Sequence, residues 1–303
     1  MLHLDLTTRT AVISTLYTAT NVAGGQTTEQ VALLEALALH VMRVPPSAAA
    51  PISPNASAAA IEKTRLRRAV GEILVVLELV RHPPSAPLTA RVGEYLAALE
   101  IEEGFQKLAA DYLADDRERV CKDWERVREP DLVEPFVEGL GKQALTTKME
   151  ALGDLRAGSL GRGLFDFYRR NGFPWIPDDD QDNLIAHDLT HVLVGYGTTP
   201  EAEVALQGFL SGAARGERHF SSLLAALLLF EVGMLPFPDI EPITGVLARP
   251  GAAELFAEAI ERGLKCPGAI AGDHQALLPL PLGEARAVLG IPEPGPGPHM
   301  FLL

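Results

Sequence analysis

Cysteine is almost missing from this chain: two among 303 residues, Cys121 and Cys266, far apart and in no CxxC or CxxH pattern. A disulfide framework is excluded, and two reduced thiols fit a cytoplasmic protein. Aromatic residues are also few, at 6%, and β-branched runs are short, whereas Ala and Leu dominate. Little material remains for strands, which predicts an all-α fold. Positive charge is the minority sign, with 26 Lys and Arg against 40 Asp and Glu and a formal net charge of −14. No basic stripe offsets the acidity, so nucleic acid is not an expected partner, and any contact with anionic lipid would have to be apolar. The opening Met1-Leu2-His3-Leu4-Asp5 has neither the basic region nor the apolar core of a secretion signal. The longest apolar run, 223–237, is interrupted by Glu231 and Pro236. It falls short of the ~20 residues that span a bilayer, so no transmembrane segment is expected. A GxSxG elbow, a Walker loop and a catalytic Cys–His pattern are all missing.

What is present is a globular composition, 47% apolar and 22% charged, long enough for two domains. Thr27-Thr28-Glu29-Gln30 starts an apolar helix that runs to Met42 and stops at Val44-Pro45-Pro46. An Ala/Pro/Ser-rich linker at 44–58 follows, of a composition that does not pack. Helical periodicity returns over 61–80, is broken by Arg81-His82-Pro83-Pro84, and resumes over 88–99 and 103–127. A small-residue turn leading into an amphipathic helix occurs twice, at Ala23-Gly24-Gly25 and Pro83-Pro84-Ser85, and suggests a duplicated helical unit. Near Glu129-Pro130-Asp131 the chain becomes punctuated by Gly and Pro. A boundary there predicts a helical N-terminal domain over 1–129 and a second helical domain over 130–303.

The chemistry concentrates at His187-Asp188-Leu189-Thr190-His191, with Glu203 following across a Gly195-Tyr196-Gly197-Thr198-Thr199-Pro200 break. Histidines at i and i+4 share one face of a helix, the spacing that lets one rigid element give a metal two nitrogen ligands. Thr199 before Pro200 reads as an N-cap with Pro in the first helical position, which puts Glu203 at the start of a helix folding back on the first. Two imidazoles and one or two carboxylates suit Zn²⁺, with Fe or Mn as other fits. Asp188 points about 100° away from His187 around the helix. It either bends inward as a ligand or holds an imidazole N–H from outside the metal shell. It is also the candidate catalytic residue. A pair of core histidines is the plainer alternative for the whole motif.

Other features carry less. Gly158-Ser159-Leu160-Gly161-Arg162-Gly163 before a helix can cradle an anion or simply form a tight turn. Asp178-Asp179-Asp180 and Asp182 begin like an EF-hand but lack its later Gly and Glu, and read as a solvated loop. His219, His274 and His299 have no partner at ligand spacing. The run 223–237 is core or the wall of a cleft for an apolar tail. The terminal Met300-Phe301-Leu302-Leu303 meets lipid or a neighbouring subunit of a homo-oligomer, or is frayed.

Three blocks in order are distinctive: Gly158-Ser159-Leu160-Gly161-Arg162, the His187–Glu203 constellation, and Pro281-Leu282-Gly283-Glu284-Ala285-Arg286-Ala287-Val288-Leu289-Gly290-Ile291. Together, over about residues 135–292, they resemble the coenzyme Q (ubiquinone) biosynthesis protein 4 family. The resemblance implies a helical protein with a divalent ion, taken as zinc, held by His187, Asp188, His191 and Glu203. It implies metal-dependent decarboxylation at C1 of a polyprenylated hydroxybenzoate, and partnership with other quinone-biosynthesis enzymes at the periphery of a membrane. The alternative within the same resemblance is a non-catalytic lipid-binding scaffold with a structural metal. Ala202 stands where that family usually has Gly before the motif Glu. The N-terminal third resembles the helical module of tellurite-resistance TerB-like domains, although Gly24-Gly25 and Pro83-Pro84 occupy the places of its acidic turn residues.

Overall fold

The computed structural model describes residues 4–101, 111–112, 114, 116–127, 134–175, 184–213, 217–235, 240–266, 270, 273–297 and 299–300. Among these the chain is all-helical, with thirteen α-helices and no strand; only two isolated bridges, Ser159 with Pro281 and Tyr196 with Met300, pair extended backbone. In order the helices are α1 Leu6–Thr20, α2 Thr28–Ala36, α3 Pro54–Ala60, α4 Thr64–Leu79, α5 Ala86–Ala98, α6 Arg117–Val127 and α7 Lys142–Ala151. There follow α8 Leu160–Asn171, α9 Ile185–Val194, α10 Pro200–Ala213, α11 Glu217–Phe230, α12 Ala252–Leu264 and α13 Leu282–Leu289.

The starts follow from local chemistry. Asp5 caps α1 through the Thr8 N–H at 2.8 Å, and Thr27 with Gln30 forms a reciprocal capping box at the head of α2. α2 runs on as a π-helical turn, Leu37–Met42, and ends where Arg43 takes a left-handed conformation (φ 55°) before Pro45. The acidic loop Asp178-Asp179-Asp180 with Asp182, and most of the helix expected over 103–127, lie outside the described residues.

The segment 44–58 does not behave as a linker. It forms a 3-10 turn (Pro46–Ala48) and then α3, and it lies along α1. The Ala50 N–H donates to Ser14 Oγ at 3.1 Å and the Ile52 N–H to Thr18 Oγ1 at 3.2 Å, while the buried Thr15 and Ser57 hydroxyls lie 2.9 Å apart. Composition suggested an unpacked tether; the hydroxyls of α1 give its backbone the partners it needs.

Two apolar cores result. The first joins α1, α2, α4 and α5 to α11 and to part of α12. The second joins α7, α8, α9 and α13 to α10 and to the rest of α12. Residues 204–260 thus contribute to the core of the N-terminal helices, and the division between cores does not follow the chain at 130. Leu223, Leu224, Leu227 and Leu228 of the long apolar run are buried in the first core. No helix of the described residues is long and apolar enough to cross a membrane.

The wall shared by both cores is the crossing of α10 and α12, the most extensive helix pair. It is close because Gly208, Gly212 and Gly263 sit at it. A Cβ on Gly208 would lie 2.8 Å from the Phe256 ring, one on Gly212 would strike the Ile260 carbonyl, and one on Gly263 would strike the Phe209 carbonyl. That crossing fixes the helix that carries Glu203.

Candidate metal centre

His187 and His191 stand one turn apart on α9, as the i, i+4 spacing predicts. A five-residue turn, 195–199, reverses the chain into α10. Thr199 caps α10 by accepting from the Ala202 N–H at 3.3 Å, with Pro200 in the first helical position, and Glu203 lies in the first turn. The three side chains converge: Nε2 of His187 and Nε2 of His191 are 3.0 Å apart, and the Glu203 carboxylate oxygens lie 3.5 Å from the first and 3.4 Å from the second. One ligand atom from each falls within 4.8 Å of the others, and no other cluster of this kind occurs among the described residues.

Proton positions decide what the cluster fits. His191 is 1% exposed, and its Nδ1 lies 3.1 Å from the Tyr196 carbonyl oxygen. A carbonyl can only accept, so the proton sits on Nδ1 and Nε2 presents a lone pair. That lone pair faces the second imidazole and a carboxylate, an arrangement of acceptors that calls for a cation between them. For ligands at the 2.0–2.1 Å typical of zinc, tetrahedral neighbours stand about 3.3 Å apart, close to the spacings here. The residues present therefore fit a divalent ion held by two nitrogens and a carboxylate. In the ion-free cluster protons on the imidazoles take the cation's place: burial alone would raise the Glu203 carboxyl, but that positive charge, His191 foremost, outweighs burial and holds it well below the ordinary carboxylate range.

Asp188 is not one of the three. One position on from His187, it is 6% exposed and accepts a hydrogen bond from the Tyr168 hydroxyl of α8. Burial pushes its carboxyl up against the favourable charge of His187 and the Tyr168 bond, and burial, then Asp188, pushes the Tyr168 hydroxyl up as well.

The flanking blocks assemble around this helix pair. Phe167 of α8 stacks on the His191 ring at 5.4 Å and 25°. The Leu160 and Gly161 N–H groups donate to the Leu280 and Leu278 carbonyls at 2.9 and 2.8 Å, and the Leu282 N–H returns a bond to Gly158 at 2.9 Å. Those donors are used within the protein, and Arg162 is bound to Asp166 and the Gly153 carbonyl, so the anion cradle weighed for this block has no free backbone to offer. From α13, Arg286 donates to the Leu193 and Val192 carbonyls at 2.8 and 3.3 Å, closing the C-terminal end of α9 beside Gly195 (φ 88°).

The remaining histidines have partners the sequence did not reveal. His274 forms a buried pair with Glu134 at 2.6 Å, and His82 bridges Tyr112 to the fully buried Glu231. His299 Nδ1 lies 3.0 Å from the Thr199 hydroxyl, at the mouth of the turn between the ligand helices. The side chain of His219 lies outside the described residues. Cys121 and Cys266 form no disulfide, and neither belongs to the cluster. Tyr168, Arg286 and the Tyr196 carbonyl were missed as supports of the site. Arg286 stood in the closing block and Tyr168 in the helix that follows the glycine block, but their partners are on other helices, and a backbone carbonyl leaves no mark in sequence. No protein-family model and no curated protein matches the chain, so its functional reading rests on this geometry.

Proposed function

We propose that the chain is a zinc-dependent enzyme of the quinone-biosynthesis type, which removes the C1 carboxylate of a polyprenylated hydroxybenzoate. The observation that carries this reading is the convergence of His187, His191 and Glu203, with the His191 tautomer set by Tyr196. Three protein ligands leave a position for substrate or water, as catalytic zinc sites do. A bound ion would supply Lewis-acid stabilisation of charge on the ring oxygens. His187 and Glu203, each part-exposed, form the accessible side of the cluster, while His191 is fixed from behind by Phe167. Asp188, bonded to Tyr168, is the acid–base group proposed to deliver a proton to ring C1 as its bond to the carboxylate breaks and CO₂ leaves.

A small apolar cavity of about 60 Å³ in the first core is lined by Val12, Leu16, Val41, Phe220 and Leu223 together with Ser211; a polyprenyl tail would have to open it further. Ser211 lies on α10, about 12 Å along the helix from Glu203 at 1.5 Å per residue. Of the run 223–237 singled out as a cleft wall, Leu223 borders this cavity, and its neighbours are core.

The test is elemental analysis of the purified protein beside a His187→Ala/His191→Ala variant, followed by CO₂ release from prenylated 4-hydroxybenzoate-type acids. One equivalent of zinc, lost in the folded variant along with CO₂ release, supports the reading. Full CO₂ release by the zinc-free variant would remove the metal from the reaction.

A further inference from the structure

The last described residues cross the turn that joins the two ligand helices, and they touch it at four points. Pro294 packs on Gly195, so closely that a Cβ there would lie 2.9 Å from the proline Cγ. The Gly197 N–H donates to the His299 carbonyl at 2.8 Å, within the bridge that pairs Tyr196 with Met300. The His299 ring is hydrogen-bonded to the Thr199 hydroxyl and stands 4.0 Å from the Glu201 carboxylate. Arg262 of α12 lies over the Tyr196 ring at 5.6 Å and donates to the Pro292 carbonyl at 2.9 Å.

These contacts surround one residue, Tyr196. Tyr196 supplies the carbonyl that keeps the proton of His191 on Nδ1, and the tail holds Tyr196 from both sides: Gly195 through Pro294, and Gly197 through His299. The same histidine grips Thr199, the cap of the helix that bears Glu203. A hydrogen-bond acceptor behind a metal-bound imidazole fixes its tautomer and direction, and loss of such a partner typically weakens metal binding 10–100-fold.

We propose that residues 292–297 with 299 and 300 are a positioning strap for the metal centre, holding Tyr196 and Thr199 so that His191 and Glu203 meet the ion. The proposal rests on the metal reading above and concerns what sets the affinity of that site. The strap touches neither ligand directly; it acts through the turn.

Zinc dissociation constants measured by competition with a chromophoric chelator test it, for the full chain and for a chain ended after Ile291. The strap predicts zinc binding at least tenfold weaker in the shortened chain, and recovery when a synthetic peptide of residues 292–303 is added. A shortened chain that binds zinc within twofold of the full chain overturns the strap and leaves the metal site standing. Absence of zinc binding by the full chain overturns the metal reading and the strap with it. If the shortened chain does not fold, Gly197→Val decides. Its Cβ would lie 3.3 Å from the His299 carbonyl, so the branched side chain crowds the strap where it meets the turn. Zinc affinity unchanged in folded Gly197→Val overturns the strap; a tenfold loss with native helix content supports it.

Discussion

The guanidinium of Arg286 donates to the carbonyl of Leu193 at 2.8 Å across a sequence separation of 93 residues. The closing block of the chain thereby caps the helix that carries both imidazoles. Hydrogen bonds from a buried charged group are worth about 1.5–3 kcal/mol, and here the group also holds Glu293 at 2.6 Å. Arg286→Met should lower stability by about 2–3 kcal/mol, read as a smaller midpoint in urea with an unchanged slope. A midpoint equal to that of the parent would show the cap to be dispensable.

Zinc should raise the melting temperature, and a chelator should reverse the gain. An ion at a hundred times its dissociation constant stabilises by about 2.7 kcal/mol if it binds only the folded chain. Glu203→Gln should remove most of that gain without altering the helix content. The gain should also fade toward acid, because protons compete for the same imidazoles. In the zinc-free protein, the Glu203 carboxyl is held below its ordinary value of 4.5. Its contribution is therefore present above about pH 4.5 and lost as the pH falls below it. Thermal scans from pH 3 to 8, with and without zinc, separate the two effects.

Glu78 behaves in the opposite sense. It is buried on α4, one oxygen takes the Thr89 hydroxyl, and the other has no hydrogen-bond partner. Burial pushes its carboxyl up to about 7. A raised folded value means that the stability contributed by the protonated form is complete below about pH 4.5 and is lost as the pH rises through 7. The loss amounts to at most about 3 kcal/mol, at 1.36 kcal/mol for each pH unit of displacement. Glu78→Gln should flatten the stability profile between pH 4.5 and 7.5. A slope that survives the substitution would assign it to another group.

Helix propensity alone favours Ala over Gly by about 1 kcal/mol in a helix interior. At Gly263 the geometry reverses the sign, since the new Cβ would run into the backbone carbonyl of Phe209, which cannot rotate aside as a side chain would. Gly263→Ala should cost about 1–3 kcal/mol, the usual range for an overpacked core. A stabilised variant would mean that α10 and α12 sit further apart than described.

Legibility in the sequence tracked distance along the chain. The all-α class came from composition, and the helix starts at Thr27 and Thr199 came from capping residues within four positions of their partners; the start at Asp5 was not read. His187, His191 and Glu203 were legible for the same reason, since one helical hairpin holds all three. What lay hidden depends on pairings between distant segments. The partners of His274, His82 and Arg286 are 140, 149 and 93 residues away. The segment 44–58 looked like a tether because its backbone is held by hydroxyls of α1, with only Val44, Ala49 and Ala58 reaching the first core. The boundary at 130 marked a change of texture, but α11 and part of α12 complete the core of the first helices.

The hairpin and its strap also stand far apart in time. All three imidazole and carboxylate donors lie between residues 187 and 203, so only a short loop must close to bring them together, and short loops close early and at little entropic cost. Thr199 and His299, by contrast, are separated by 100 residues. During synthesis the hairpin therefore emerges well before the segment that crosses its turn. On the metal and strap readings proposed above, an ion would enter while the turn is still loose and be held once the tail arrives, a chain order that favours fast loading over fast release.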